Sequence, residues 1–411
     1  MLSVAERYAS MSLREQVETE LRTNILPFWL EHAIDEQYGG FRGQIANDLT
    51  INPFAHKGLI LNARILWTFS KAFSVYGEEV YRQTARRAHD YITQHFWDAE
   101  FNGVYWLVDY LARPLETKKR IYGQAFAVYS LAEYYRATGD QEALTRALTL
   151  YECIESASHD SLEGGYFETY ERDWTLAHEQ RLSAVDMDEK KSMNTHLHLL
   201  EAYAALLRVH EDATVRLRLR ELIEIFLDHI IHPSTHHFIL FFDEQWRPRS
   251  EKISFGHDIE GSWLLTEAAE ILGDAPLLGR MREIAVKMAQ AVYEQAIDAD
   301  GGLIYEADST KIIDSDKHWW PQSEAVVGFL NAYQMTGQRH FLDAAERSWA
   351  FIEKYIVDHK HGEWFGRVSR GGVPSEKQYK VDQWKCPYHN SRTCFEVMER
   401  LGRSSRHGDR S

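Results

Sequence analysis

Apolar residues recur along this chain at three- and four-residue spacing in runs that begin near Leu61, Tyr122, Asn194, His257, Pro321 and Tyr388, the period of helices with a buried face. The runs share one register, in which Lys71, Glu133, Glu201, Glu267, Asn331 and Met398 are equivalent at successive intervals of 62, 68, 66, 64 and 67 residues. Between them lies a second set of helical patterns, such as Tyr81, Ala85, Ala88, Tyr91, Ile92 and His95. Each unit is therefore a helix pair, and a period of this length marks a repeat architecture. A glycine-and-aromatic segment follows the second helix of most units, as in Tyr38-Gly39-Gly40-Phe41, Asn102-Gly103-Val104-Tyr105-Trp106, Gly164-Gly165-Tyr166-Phe167, Gly301-Gly302-Leu303-Ile304-Tyr305 and Gly362-Glu363-Trp364-Phe365. It reads as a turn followed by a short strand or hairpin. His236-His237-Phe238 and the apolar residues after it fill the same slot without glycine.

Counting the opening pattern near residues 13–28 as the first outer helix gives about six outer and six inner helices. The inner set is apolar on most faces, as buried helices are, and neither end carries a polar capping repeat. The expected fold is an all-α (α/α)6 barrel with short β-hairpins at one rim, spanning residues 1–411 as a single domain. Closure is the inference here, since an open superhelix has the same period. The longest irregular stretch, residues 170–193, holds Trp174, Asp186 and the run Asp188-Glu189-Lys190-Lys191. Loops that long are usually functional or mobile, and a rim loop near the site is expected.

The register says what collects at one end of the ring. Seven residues before the shared position stand Arg64, Phe126, Asn194, Glu260, Glu324 and Ser391. Seven residues are nearly two helical turns, so these six are expected at one level on one face of the inner helices. One turn either way brings in His257 and His198, while His389 and Tyr122 are placed just before their helices. A lone polar residue on an apolar face is usually a satisfied structural one; several at equivalent positions in a ring imply a shared polar cavity. His196 and His198 stand two apart, so they cannot share a face. His198 is expected inward and His196 outward.

Composition narrows the ligand. With 62 acidic and 46 basic residues the formal net charge is -16, and no basic cluster stands out, so neither nucleic acid nor an anionic membrane is an expected partner. The first residues lack a signal-peptide apolar core and no run is long enough to span a bilayer; a cytoplasmic protein, taken as a monomer, is expected. The three cysteines, Cys153, Cys386 and Cys394, lack metal-ligand spacing and fit reduced, packed thiols. Trp67, Trp106, Trp319, Trp320, Trp364 and Trp384 recur near inner-helix starts or hairpins. An indole face beside polar groups suits a carbohydrate. No phosphate-cradling glycine motif occurs, and with no His-Glu-x-x-His or Cys-x-x-Cys pattern no obligatory metal is expected.

The segments Leu61-Asn62-Ala63-Arg64-Ile65-Leu66-Trp67, Ser192-Met193-Asn194-Thr195-His196-Leu197-His198, Ser254-Phe255-Gly256-His257-Asp258-Ile259-Glu260, His318-Trp319-Trp320-Pro321-Gln322-Ser323-Glu324 and Trp384-Lys385-Cys386-Pro387-Tyr388-His389-Asn390 resemble those of cellobiose 2-epimerases, within the N-acylglucosamine 2-epimerase superfamily. The resemblance runs from the first helix to the last motif. Cys386 stands where a glycine is expected in near relatives.

The resemblance implies cofactor-free epimerisation at C2 of the reducing-end glucose of β-1,4-linked disaccharides such as cellobiose and lactose, by ring opening and a cis-enediolate. It implies His257 and His389 as the acid-base pair, with His389 taking the proton from the glucose epimer and His257 returning it. His198 and Arg64 would hold the enediolate oxygens, and Glu260 would orient His257. Tyr122, Asp186, Asn194 and Glu324 would support the substrate or the residues behind it, and Trp320 and Trp384 would stack on the sugars. Alternatives are an aldose-ketose (mannose) isomerase or N-acylglucosamine 2-epimerase of the same superfamily, an inverting glycoside hydrolase built on Glu260 and Glu324, or a sugar-binding protein without catalysis.

Overall fold

The computed structural model describes residues 11–408. Six inner helices, α2 (Leu59–Tyr76), α4 (Ile121–Thr138), α6 (Met193–Val209), α8 (Phe255–Leu272), α10 (Trp319–Thr336) and α12 (Tyr388–Gly408), alternate along the chain with six outer ones. The outer helices are α1 (Leu13–Glu20), which continues through wider turns to Ala33, α3 (Glu79–Tyr91), α5 (Gln141–Ser158), α7 (Ala213–Ile225), α9 (Ala275–Ala296) and α11 (Arg339–Phe351). Each inner helix packs on the next, and α12 packs on both α10 and α2. The ring is closed, as expected.

Local chemistry sets these boundaries. Ser12 and Glu15 form a reciprocal cap at the start of α1, and Asp140, Asp212 and Asp274 accept first-turn N–H groups of α5, α7 and α9, satisfying donors that the helix cannot. Gly77, Gly139, Gly273 and Gly337 end α2, α4, α8 and α10 at φ near 70°, where a side chain would be strained. Each then turns the chain outward. The inner helices are buried for most of their length, whereas α3 and α11 bury one stripe.

At the rim, the two residues before each of α2, α4, α6, α8 and α10 pair as a short antiparallel strand with the hairpin of the following unit: Lys57 with Val108, Lys119 with Tyr170, Lys191 with Phe242, Ile253 with Ala307 and Lys317 with Val368. Ile45 pairs with Val381 and joins the first unit to the last.

A repeated ionic clamp, unseen in the periodicity, fixes the hairpins. The buried amines of Lys57, Lys119, Lys191, Lys317 and Lys380 lie 2.6 to 2.9 Å from the carboxylates of Asp35, Asp98, Asp160, Asp298 and Asp358. Four of them also donate to a turn carbonyl, at Gly39, Gly164, Gly302 and Gly362. Asp35, Asp98, Asp160 and Asp358 also accept backbone N–H groups at the start of their turns, whereas in the turn of Asp298 it is Asp300 that accepts one, from Gly302. In the fourth unit His232 Nδ1 takes over as the turn acceptor, from Ser234 and Thr235. His236 there adopts φ +61° where glycine or asparagine stands in other units. A second clamp comes from the fourth residue of the inner helices: Gln124, His196, Asp258 and Gln322 each accept a hairpin N–H, from Val104, Tyr166, Phe238 and Leu303. His196 is thus outward and structural, as its spacing predicts.

Glu168 gives a pH-dependent version of the same device. It is buried, accepts Ser192 N–H at 2.7 Å and the Thr195 hydroxyl, and burial pushes its carboxyl up to about 8. An unfolded glutamate titrates near 4.3, so the folded chain keeps a proton that the unfolded chain loses. That contribution is complete below about pH 4 and lost as pH rises through about 8. Glu168→Gln should therefore flatten the fall in melting temperature between pH 5 and 9, and unchanged slopes would refute the assignment.

Candidate active site

The first turns of the inner helices and the rim loops enclose a cavity of about 800 Å³. Arg64, Tyr122, Asn194, His198, His257, Glu260, Trp320, Trp384, His389 and Asp186 all line it. Ten of the eleven residues singled out in the sequence therefore meet at one place. The exception is Glu324, which lies fully buried behind the wall, because its carboxylate is engaged by His389, Arg392 and the Trp263 indole. It backs His389 and does not line the cavity.

His257 and His389 both pack against Trp320, with ring centroids 4.7 and 5.6 Å from the indole. His389 Nδ1 lies 2.7 Å from Glu324 Oε1. A carboxylate there requires Nδ1–H and leaves Nε2 with its lone pair. His257 Nδ1 is joined at 2.7 Å to Ser254 Oγ. Glu260, expected to orient His257, is instead held by Arg392 Nη2 at 2.5 Å and lies 3.9 Å from His389 Nδ1. One helical turn brings two residues to the same face, but the guanidinium attracts the carboxylate more strongly than a neutral imidazole does.

Burial lowers His257 to about 3, aided by His198, and holds His389 well below the usual imidazole range, aided by Arg64 and Arg392. Both are free bases at neutral pH. Burial also raises Glu260 to about 7, with Glu324 adding to the effect. Arg64 donates to the Tyr122 hydroxyl at 3.0 Å and to the Trp384 carbonyl at 3.4 Å, stacks on Phe126, and among the described residues pairs with no carboxylate. Its Nε and Asn194 Oδ1 are buried without a protein partner. Buried donors and acceptors rarely stay unmatched, so the cavity offers unused polar groups to a ligand. His198 is fixed by Glu201 at 3.1 Å.

Other placements differ in detail. Tyr122 and His389 lie within the first turns of α4 and α12, not before them. Ser391 turns sideways to Thr68 Oγ1 at 3.2 Å, so Arg392 occupies the central position that the register gives to Ser391. Trp67 lines a second cavity, at the opposite end of the ring, and Trp364 is buried against Glu20. The rim loop behaves as expected at Leu182, Ser183, Val185, Asp186 and Met187, which line the mouth; Trp174 turns away to the Phe101 carbonyl. Arg392, Glu201 and Ser254 were missed. The signal for Glu201 and Arg392 was present, since each stands three residues after an inward histidine.

Glu260, Glu324 and His389 present ligand atoms within 4.8 Å of one another, close enough to hold a cation. The Arg392 guanidinium occupies that place, at 2.5 Å from Glu260 and 2.7 Å from Glu324. Their chemistry fits a resident cation of the protein's own.

The family model described as N-acylglucosamine 2-epimerase matches residues 39–391. A cellobiose 2-epimerase of Bacteroides fragilis is 46% identical, over 94% of this chain and 98% of that protein. The structure of a cellobiose 2-epimerase from Spirochaeta thermophila superposes with a TM-score of 0.90 at 40% identity, covering 95% of this chain and 97% of the other. A D-mannose isomerase structure shares the fold, at 20% identity and a TM-score of 0.83 over 95% and 99% of the two chains.

Proposed function

Because the chain belongs to the N-acylglucosamine 2-epimerase family, we propose that it epimerises C2 of the reducing-end glucose of β-1,4-linked disaccharides, cellobiose first and lactose with it, to mannose. The observation that carries the reading is the pair His257 and His389, two neutral imidazoles that line one cavity and both pack against Trp320. Inverting C2 requires removing a proton from one face and returning one to the other. Two opposed bases meet that need.

The chemistry begins with ring opening, which removes the O1 proton, protonates the ring oxygen and makes C2–H acidic beside an aldehyde. Since burial keeps both histidines neutral, the one that later acts as acid must first gain a proton. The proton leaving O1 is the available source, and His257 is assigned to take it. Glu260, titrating near 7 on the cavity wall, suits protonation of the ring oxygen. His389 Nε2 then takes the C2 proton, and Arg64 and His198 hold the charge that develops on the enediolate oxygens. An unpaired buried guanidinium stabilises that charge without having to reorganise. His257 returns a proton to the opposite face, and ring closure restores the starting protonation. Trp320, Trp384, Asp186, Tyr122 and Asn194 hold the sugars. We take the closed ring to work as one catalytic domain.

An inverting hydrolase is disfavoured by the same geometry, since its two carboxylates would stand roughly 6.5–9.5 Å apart around a water. Here Glu260 and Glu324 share one guanidinium, and Glu324 does not reach the cavity. Incubation with cellobiose, lactose, mannose and N-acetylglucosamine in deuterated water, read by NMR, tests the proposal. The expected product is the disaccharide epimer carrying deuterium at C2; released glucose, or turnover of mannose alone, would overturn it.

A further inference from the structure

The geometry points to Arg392 as a positioning residue, a single guanidinium that ties His198 to His389 through Glu201 and Glu324 and so sets which ring nitrogen each imidazole presents to the sugar. The inference rests on the reading of His389 as a base. Arg392 does not line the catalytic cavity; it lines the second one, about 830 Å³, at the far end of the ring. It therefore acts only through the groups it holds.

Those groups come from three inner helices. Nη1 donates to Glu201 of α6 and to the Tyr388 hydroxyl, the latter at 2.5 Å. Nη2 donates to Glu260 of α8 at 2.5 Å and to Glu324 of α10 at 2.7 Å. Glu201 in turn holds His198 Nδ1, and Glu324 holds His389 Nδ1. The chain His198, Glu201, Arg392, Glu324, His389 crosses the floor of the cavity. All five side chains are nearly or fully buried.

Three carboxylates around one cation leave surplus negative charge, and without that cation they would hold protons instead. A protonated Glu324 can donate to Nδ1, which moves the imidazole proton to Nε2 and removes the lone pair from the cavity side. A planar fork with separate Nη1 and Nη2 edges can serve the two sides together, whereas an ammonium is a point charge that cannot span them. The groups facing His389 are Glu324 from α10, Glu260 and His257 from α8, His198 from α6, Arg64 from α2, and Tyr388 and Arg392 from its own helix. Arg64 and Arg392 are the cations among them, and both oppose protonation of the imidazole.

Two variants separate positioning from packing. Arg392→Lys keeps the charge and loses the fork; Arg392→Met loses both. In Arg392→Lys, kcat should fall about 10²-fold with KM within about threefold, and nitrogen NMR of the substrate-free enzyme should show His389 with a changed Nδ1–H population. In Arg392→Met the acid limb of kcat and the His389 titration should both move to higher pH, because one of two opposing cations is gone. Wild-type kcat in Arg392→Lys overturns the proposal, as does a lower kcat with an unchanged tautomer and an unchanged limb. Should Arg392→Met fail to fold, the tautomer and the KM-against-kcat split in Arg392→Lys decide the matter. The NMR readout needs no turnover, so it stands apart from the test of the reaction itself: a wild-type enzyme that forms no epimer defeats the proposed function, whereas an unchanged His389 defeats only the role of Arg392.

Discussion

His389→Ala and His257→Ala should each lower epimerisation of cellobiose by about 10³-fold or more, within the 10² to 10⁴ that a positioned acid or base contributes, while circular dichroism and the melting curve stay close to wild type. The effect should be large because neither imidazole has a substitute. Glu260 is held by Arg392, and Glu324 lies behind the wall. The fold should survive because both rings border a cavity and hold no hairpin. The two variants should also differ in kind. With His389 lost, exchange of C2 hydrogen with solvent from the glucose epimer should stop; with His257 lost, exchange without inversion should persist only as slowly as the sugar ring opens unaided. Near-normal turnover in either variant would remove the two-base mechanism.

The largest stability effect is expected away from the site, at Asp98→Ala. Asp98 and Lys119 are both fully buried, 2.9 Å apart, and Arg172 bonds both carboxylate oxygens at 2.9 and 3.0 Å. Burial alone would raise the Asp98 carboxyl, but Arg172 and Lys119 hold it below the usual range. Removing it strands the Lys119 amine in the interior, and breaking a buried pair in that way costs about 3–5 kcal/mol. Urea unfolding should show the loss, and Lys119→Met in the Asp98→Ala background should recover a good part of it. A cost under about 1 kcal/mol would mean that water reaches the amine.

Much of this was legible in the sequence because a helical repeat writes itself twice, once as the 3.6-residue period and once as the interval between units. Arg64, Asn194 and Glu260 fall where the register puts them, since the units that carry them keep that position without slippage. The register fails at α12, where Ser391 faces Thr68 and Arg392 turns inward. The Lys–Asp clamps were also illegible. Lys57 and Asp35 are 22 residues apart and polar, so no apolar period marks them; only the recurrence of lysine two residues before α2, α4, α6 and α10 does. The resemblance pairs Glu260 with His257, whereas in the structure Arg392 holds it; a shared helix face does not decide the strongest partner on that face.

The closure of the ring by α12 also bears on how the protein is made. Chains fold as they emerge, N-terminal part first, and α12 follows the other eleven ring helices in chain order. Until it arrives, α2 and α10 expose the faces that Tyr388, Phe395 and Thr393 later cover, and Glu201, Glu260 and Glu324 lack their shared counter-charge. The helix that shuts the ring carries His389 and Arg392 as well. A chain lacking α12 thus leaves apolar faces of α2 and α10 uncovered and the cavity without His389, and one docking event covers the first and supplies the second.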